Sequence, residues 1–113
     1  MNSVVLLSSK NSAVLEDTHN SSKINYVITN SPNSSVIDIA FNKGIAWSIF
    51  QYNEKSESID SYYENLISHI GNPNYIVLQE WQLDLNNHFC DFYGVKIISL
   101  TKKQLLTEKI NYL

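Results

Sequence analysis

Val36-Ile37-Asp38-Ile39-Ala40-Phe41-Asn42-Lys43-Gly44-Ile45-Ala46-Trp47-Ser48-Ile49-Phe50-Gln51-Tyr52 is the stretch on which the fold class turns. Two runs rich in β-branched and aromatic residues, Val36 to Phe41 and Ile45 to Tyr52, flank Asn42-Lys43-Gly44, a three-residue connection with glycine where a left-handed backbone is needed. Ile37, Ile39 and Phe41 alternate with Asp38, and Ile45, Trp47 and Ile49 alternate with Ala46 and Ser48, which is the period of a half-buried strand. The pattern predicts a β-hairpin over 36–52.

Outward from the hairpin, residues 3–8 and 24–30 read as strands, the second because Ile24, Tyr26, Val27 and Ile28 end at Asn30-Ser31-Pro32. The Asn- and Ser-rich tract between 8 and 35 reads as polar turns between them. Ile59, Tyr62, Tyr63, Leu66, Ile67 and Ile70 fall at helical spacing, so a helix is expected over 57–70, capped by Ser56 or Ser58 and stopped by Gly71 and Pro73. Tyr75 to Leu78 reads as a short strand. A second helix is expected over 80–93, with Trp81, Leu85, His88, Phe89 and Phe92 on one stripe, and a strand over 95–100. Thr101 with Gln104 makes a capping box opening a last helix over 102–112. Together these elements predict a single α+β domain over 1–113, with a mainly antiparallel sheet covered by helices.

Charge narrows the partners. The 113 residues carry eight cations, all lysine, against 11 carboxylates, for a net charge of −3. Without arginine, bidentate recognition of phosphates and base edges is lacking, so nucleic acid is not an expected partner. Cys90 is the single cysteine, which excludes an internal disulfide framework and suits a reducing, cytoplasmic compartment. The apolar run Val4 to Leu7 is too short for a signal peptide or a membrane span.

Residues 56–95 contain no lysine, and Glu57, Asp60, Glu64, Glu80, Asp84 and Asp91 give that segment −6, whereas residues 1–55 are neutral and 96–113 carry +3. On two helices these carboxylates form two acidic ridges. Each has an ordinary explanation as a solvated face; together they suit a basic protein partner, whose association an acidic surface accelerates. Catalytic signatures are weak. His88-x-Cys90 lacks the spacing of a zinc pair, His88 reads as a packed histidine at the edge of an apolar stripe, and no second cysteine or glycine-rich phosphate loop exists. Neither metal nor cofactor is expected, and Tyr62 and Tyr63 read as core.

The stretch Leu78-Gln79-Glu80-Trp81-Gln82-Leu83-Asp84-Leu85-Asn86-Asn87-His88-Phe89-Cys90-Asp91-Phe92-Tyr93 resembles the C-terminal region of some bacterial immunity proteins of contact-dependent growth inhibition systems, through Glu80-Trp81, Asp84-Leu85-Asn86 and Asp91-Phe92-Tyr93. The resemblance implies a small protein without catalysis of its own that binds a cognate, basic toxin domain, such as a nuclease, and neutralises it through the acidic helical face. The alternatives weighed beside it are another acidic inhibitor of a nucleic-acid-binding enzyme, such as a phage anti-defence protein, and a non-catalytic oligomerising module.

Overall fold

A computed structural model describes residues 3–106. In chain order its elements are β1 (Val4–Leu7), α1 (Ala13–Glu16), α2 (Thr18–Ser21), β2 (Tyr26–Thr29), α3 (Ser35–Lys43), β3 (Ala46–Ile49), α4 (Ile59–Ile70), β4 (Tyr75–Gln79), α5 (Asn87–Tyr93), a 3-10 turn (Gly94–Lys96) and β5 (Ile97–Leu100). Among the described residues the five strands form one sheet in the order β3-β2-β1-β4-β5. Every neighbouring pair is parallel.

The sheet corrects the expected antiparallel α+β architecture: this is an α/β fold of doubly wound type. Parallel neighbours need a crossover rather than a tight turn, and α3 is the crossover between β2 and β3. Its residues are those assigned above to the first arm of a hairpin over 36–52. Ser34 caps α3 by accepting from the Val36 N–H at 3.3 Å, and Val36 and Ala40, four residues apart, are buried on the sheet while Phe41 is exposed. Gly44, at φ 71°, closes the helix with its N–H on the Ala40 and Phe41 carbonyls instead of turning a hairpin. Ile37 and Ile39 keep the period of a strand while Val36 and Ala40 keep that of a helix, so alternation alone misled.

The central strands read as near-continuous apolar runs because both faces are covered. Val4, Leu6, Val27, Val77, Ile98 and Leu100 pack on one face beneath Val14 and Leu15 of α1 and Val36 and Ala40 of α3. Val5, Leu7, Ile28, Ile76 and Leu78 pack on the other beneath Tyr62, Tyr63, Leu66 and Ile67 of α4 and Phe89 and Tyr93 of α5. Each such side chain contributes about 1.5–3 kcal/mol when fully buried. Tyr62, Tyr63 and Phe89 stack edge to face or tilted, with centroids 5.2–5.3 Å apart.

The helix over 57–70 forms as Ile59–Ile70, with Ser58 accepting from the Ser61 N–H at 3.1 Å. The strands over 3–8, 24–30, 75–78 and 95–100 form as β1, β2, β4 and β5. The helix over 80–93 is cut short: only Asn87–Tyr93 is helical, begun by Asn86, whose side chain accepts from the Phe89 N–H at 2.9 Å. Residues 80–86 are loop, in which Trp81, Leu83 and Leu85 alternate towards the α4 core. The tract read as polar turns also holds two short helices, α1 and α2, capped by Ser12 and Asp17. At 101–104 the Thr101 N–H donates to Gln104 Oε1 at 2.8 Å, as a capping box does, but 102–105 form no helix and residues 107–112 of the expected last helix lie outside the described residues. Among the described residues no helix is long and apolar enough to cross a membrane.

Candidate functional site

Because all strands run the same way, the loops after β1, β2, β4 and β5 gather at one sheet edge. The chain builds outward from β1 through β2 to β3, then returns to place β4 on the other side of β1. Such a reversal opens a crevice beyond the carboxyl ends of the two central strands, where ligands of open α/β sheets bind.

Here the floor of that crevice is filled by Gln79, the last residue of β4, which is 1% exposed. Its Oε1 accepts from the Val14 N–H at 3.0 Å and from the Ser12 hydroxyl, and its Nε2 donates to the carbonyls of Thr101 at 2.8 Å and Gln104 at 2.6 Å. Above it the Ser9 N–H donates to the Glu80 carbonyl at 2.9 Å, and the Gln82 N–H donates to Ser9 Oγ at 2.8 Å. Glu80 takes φ 59°, a left-handed conformation that costs a non-glycine residue about 1–2 kcal/mol and that recurs at functional loops.

A hollow opens on each side of this seam. Towards β2, a cavity of about 240 Å³ is lined by Ser9, Lys10 and Asn11 from the β1–α1 loop and by Ser31, Asn33, Ser34 and Ser35 from the β2–α3 loop. The Ser34 and Ser35 hydroxyls both donate to the Lys10 carbonyl, at 2.6 and 2.9 Å, which ties the two loops together. Lys10 itself is exposed. The hollow therefore combines hydroxyls, amides, one ammonium and the N-terminus of the nine-residue helix α3, a set suited to an anionic oxygen group. Towards β5, a cavity of about 320 Å³ is walled by Leu78, Trp81, Leu83, Leu85, Ser99 and Leu100, with Glu80 and Asp84 among its lining. Its loop is fastened to α4 by Tyr63, whose hydroxyl donates to the Leu83 carbonyl at 3.0 Å and accepts from Trp81 Nε1 at 3.0 Å. Burial pushes the Tyr63 phenol up to about 12, and nearby Asp84 acts in the same direction.

The six carboxylates expected to form one acidic helical face are distributed otherwise. Glu80 and Asp84 lie on the β4–α5 loop and line the β5-side cavity. Asp60 and Glu64, on α4, line a separate open groove with Leu85, Asn86, Asn87 and His88, where Asp60 accepts from Asn86 Nδ2 at 3.1 Å. Glu57 precedes α4 and accepts from the Asn53 N–H at 3.3 Å; Asp91 is exposed on α5. His88 is exposed rather than packed, while Tyr62 and Tyr63 are buried as expected. The serines, Asn11, Lys10 and Gln79 were not singled out in the sequence. The available signal was a polar loop directly after each apolar run, Ser8 to Ser12 after Val4–Leu7 and Asn30 to Ser34 after Tyr26–Thr29, each ending in a cap residue.

No family model and no curated protein sequence matches the chain. Solved structures do. Phosphoribosylglycinamide formyltransferase from Brucella melitensis superposes with a TM-score of 0.78 at 19% identity, over 87% of this chain and 55% of that one. The phosphoribosylglycinamide formyltransferase of Coxiella burnetii gives 0.77 at 23% identity, over 87% and 50%. A formyltetrahydrofolate deformylase from Pseudomonas putida KT2440 gives 0.69 at 18% identity, over 87% and 37%. At these identities the shared property is the fold, and the chain spans about half the length of the formyltransferases it matches. This likeness overturns the immunity-protein resemblance: the stretch 78–93 that carried it is a strand end, a loop and a short helix within a formyltransferase-like sheet. The expected toxin partner, the alternatives of an acidic inhibitor or oligomerising module, and the absence of catalysis are corrected with it, since the structural neighbours are enzymes named for small-molecule substrates.

Proposed function

We propose that the chain is a formyltransferase-type domain that binds a phosphorylated small molecule, of the class of phosphoribosylglycinamide, in the serine-rich hollow between the β1–α1 and β2–α3 loops. The observation that carries this is the hollow itself: hydroxyls and amides of Ser9, Asn11, Ser31 and Asn33, with Lys10 at its rim and the N-terminus of α3 beside it, at the carboxyl edge of a 3-2-1-4-5 parallel sheet. A phosphate there gains from charge-assisted hydrogen bonds and from the helix dipole.

Formyl transfer to an amine needs a proton acceptor and room for the donor's carbonyl carbon to meet the amine. The β5-side cavity supports this reading, with carboxylates Glu80 and Asp84 beside apolar walls from Trp81, Leu83 and Leu85 that suit a flat heteroaromatic donor such as formyltetrahydrofolate. In this reading the two hollows hold the two reactants on either side of the Ser9–Glu80 seam.

Titration of the isotope-labelled chain with ribose 5-phosphate and with phosphoribosylglycinamide tests the assignment. Saturable amide shifts at residues 9–12, 31 and 33–35 are expected, weakened about tenfold in Lys10→Ala. Absence of shifts there at millimolar ligand sinks it.

A further inference from the structure

We propose that Ser9 couples the two hollows: an anionic oxygen seated in the serine-rich hollow takes the Ser9 hydroxyl hydrogen, and through Ser9 it tightens the β4–α5 loop that walls the β5-side cavity. This rests on the reading of the serine-rich hollow as a phosphate seat. Ser9 is only 3% exposed, but it lines that hollow and holds the loop at two points. Its N–H donates to the Glu80 carbonyl at 2.9 Å, and its Oγ accepts from the Gln82 N–H at 2.8 Å. Among the described residues its hydroxyl hydrogen meets no acceptor. A hydroxyl that accepts one bond keeps its own hydrogen free to rotate, so Ser9 can donate to a ligand in the hollow without releasing Gln82.

The two bonds straddle Glu80, whose φ of 59° is the one positive value outside glycine among the described residues. A left-handed glutamate persists only while its surroundings hold it, and Ser9 supplies a bond on each side of the strained position. The loop therefore has two arrangements, one clamped with Glu80 left-handed and one relaxed. A ligand on Ser9 biases the first. A hydroxyl that donates to an anionic oxygen gains electron density at its own oxygen, so the bond from the Gln82 N–H to Ser9 Oγ shortens and strengthens. Trp81 and Leu83 flank Gln82 and wall the β5-side cavity, and Tyr63 fastens both to α4. Clamping Gln82 thus fixes the apolar wall against which a flat donor packs. Coupling between two sites is reciprocal, so the donor tightens the phosphate by the same factor. Filling either hollow favours filling the other, which suits a transfer between two bound reactants.

In the isotope-labelled chain, ribose 5-phosphate should move the Gln82 amide proton downfield in step with the amides of Lys10 and Asn11. Ser9→Ala should leave the Lys10 and Asn11 responses in place, at weaker affinity, and silence Gln82. Without ligand, the same variant should speed exchange of the Gln82 amide about tenfold and leave Val77, in the middle of β4, unchanged. Calorimetric titration should show 5-formyltetrahydrofolate binding about fivefold tighter at saturating ribose 5-phosphate, and ribose 5-phosphate gaining the same factor from the folate. Glu80→Gly removes the backbone strain, so the loop keeps its path without the clamp and the factor should fall to one with circular dichroism unchanged. A Gln82 amide that stays in place while Lys10 and Asn11 respond overturns the coupling and leaves the phosphate seat standing; silence at all three overturns both. A factor that survives Ser9→Ala, a factor of one in the unaltered chain, or a β5-side cavity that takes no folate also overturns the coupling.

Discussion

Gln79 spends both ends of its amide on four partners drawn from the cap and first turn of α1 and from the segment after β5. Gln79→Ala strands a buried hydroxyl and backbone N–H together with two part-buried carbonyls, and the expected loss is about 2–4 kcal/mol in urea unfolding. A loss under about 0.5 kcal/mol, the level of an ordinary surface change, contradicts the role given to it. Tyr63 and Tyr93 supply a pH signature. Burial raises both phenols to about 12 from an unfolded value near 10, so the native state holds these protons when the unfolded chain has released them. Their contribution is fully present below pH 10 and is lost as pH rises towards 12. Stability measured by rapid urea unfolding should fall over that window, and the slope should flatten in Tyr63→Phe/Tyr93→Phe. None of this was legible in composition. A buried glutamine at a strand end looks like any polar residue closing a strand until the topology shows what lies across from it.

At the scale of elements, α4 was legible because its apolar stripe, its Ser58 cap and its Gly71 stop all agree. α3 was not, because Ile37 and Ile39 satisfy a period of two while Val36 and Ala40 satisfy a period of 3.6, and only the sheet above decides between them. Gly44 served both interpretations, since a three-residue hairpin and a helix end each want a left-handed glycine. The helical role makes a clean prediction. Nothing lies within 4 Å of where a Cβ at 44 would sit, so Gly44→Ala meets only backbone strain. A cost of about 1 kcal/mol in chemical denaturation is expected. Ser34→Ala should cost about the same by removing the cap at the other end. If Ser34→Ala leaves the denaturation midpoint where it was, the Val36 N–H does not depend on that hydroxyl. The β4–α5 loop was hidden for a related reason: Trp81, Leu85 and Phe89 fall at helical spacing, and only Asn86, a cap residue in mid-stripe, marks where the helix starts.

For the molecule as a whole, strand and helix content was readable but strand order was not. Antiparallel and parallel sheets use the same β-formers, and what separates them is whether the connections between strands are helices. Misreading α3 and overlooking α1 removed the crossovers, and an acidic surface then stood in for a site. Of the six carboxylates, Asp60 and Glu64 line one hollow and Glu80 and Asp84 another, while Glu57 and Asp91 lie outside both. A ligand seated at the carboxyl edge contacts loops from both halves of the sheet, so it should stabilise the domain globally. Ribose 5-phosphate at ten times its dissociation constant adds about 1.4 kcal/mol, or a rise of roughly 5 °C in Tm for a domain of this size. An unchanged melting curve at saturating ligand argues against the serine-rich hollow as its seat. The strand order also sets a schedule for the newborn chain. β1 sits in the middle and needs β4 as its second neighbour, yet Tyr75 is made long after Val4. At ribosomal speeds of about 5–20 residues per second, that wait is roughly 4–14 s. Through that interval Val4–Leu7 has one side without a sheet partner, so slowing translation upstream of Tyr75 should increase its capture by chaperones.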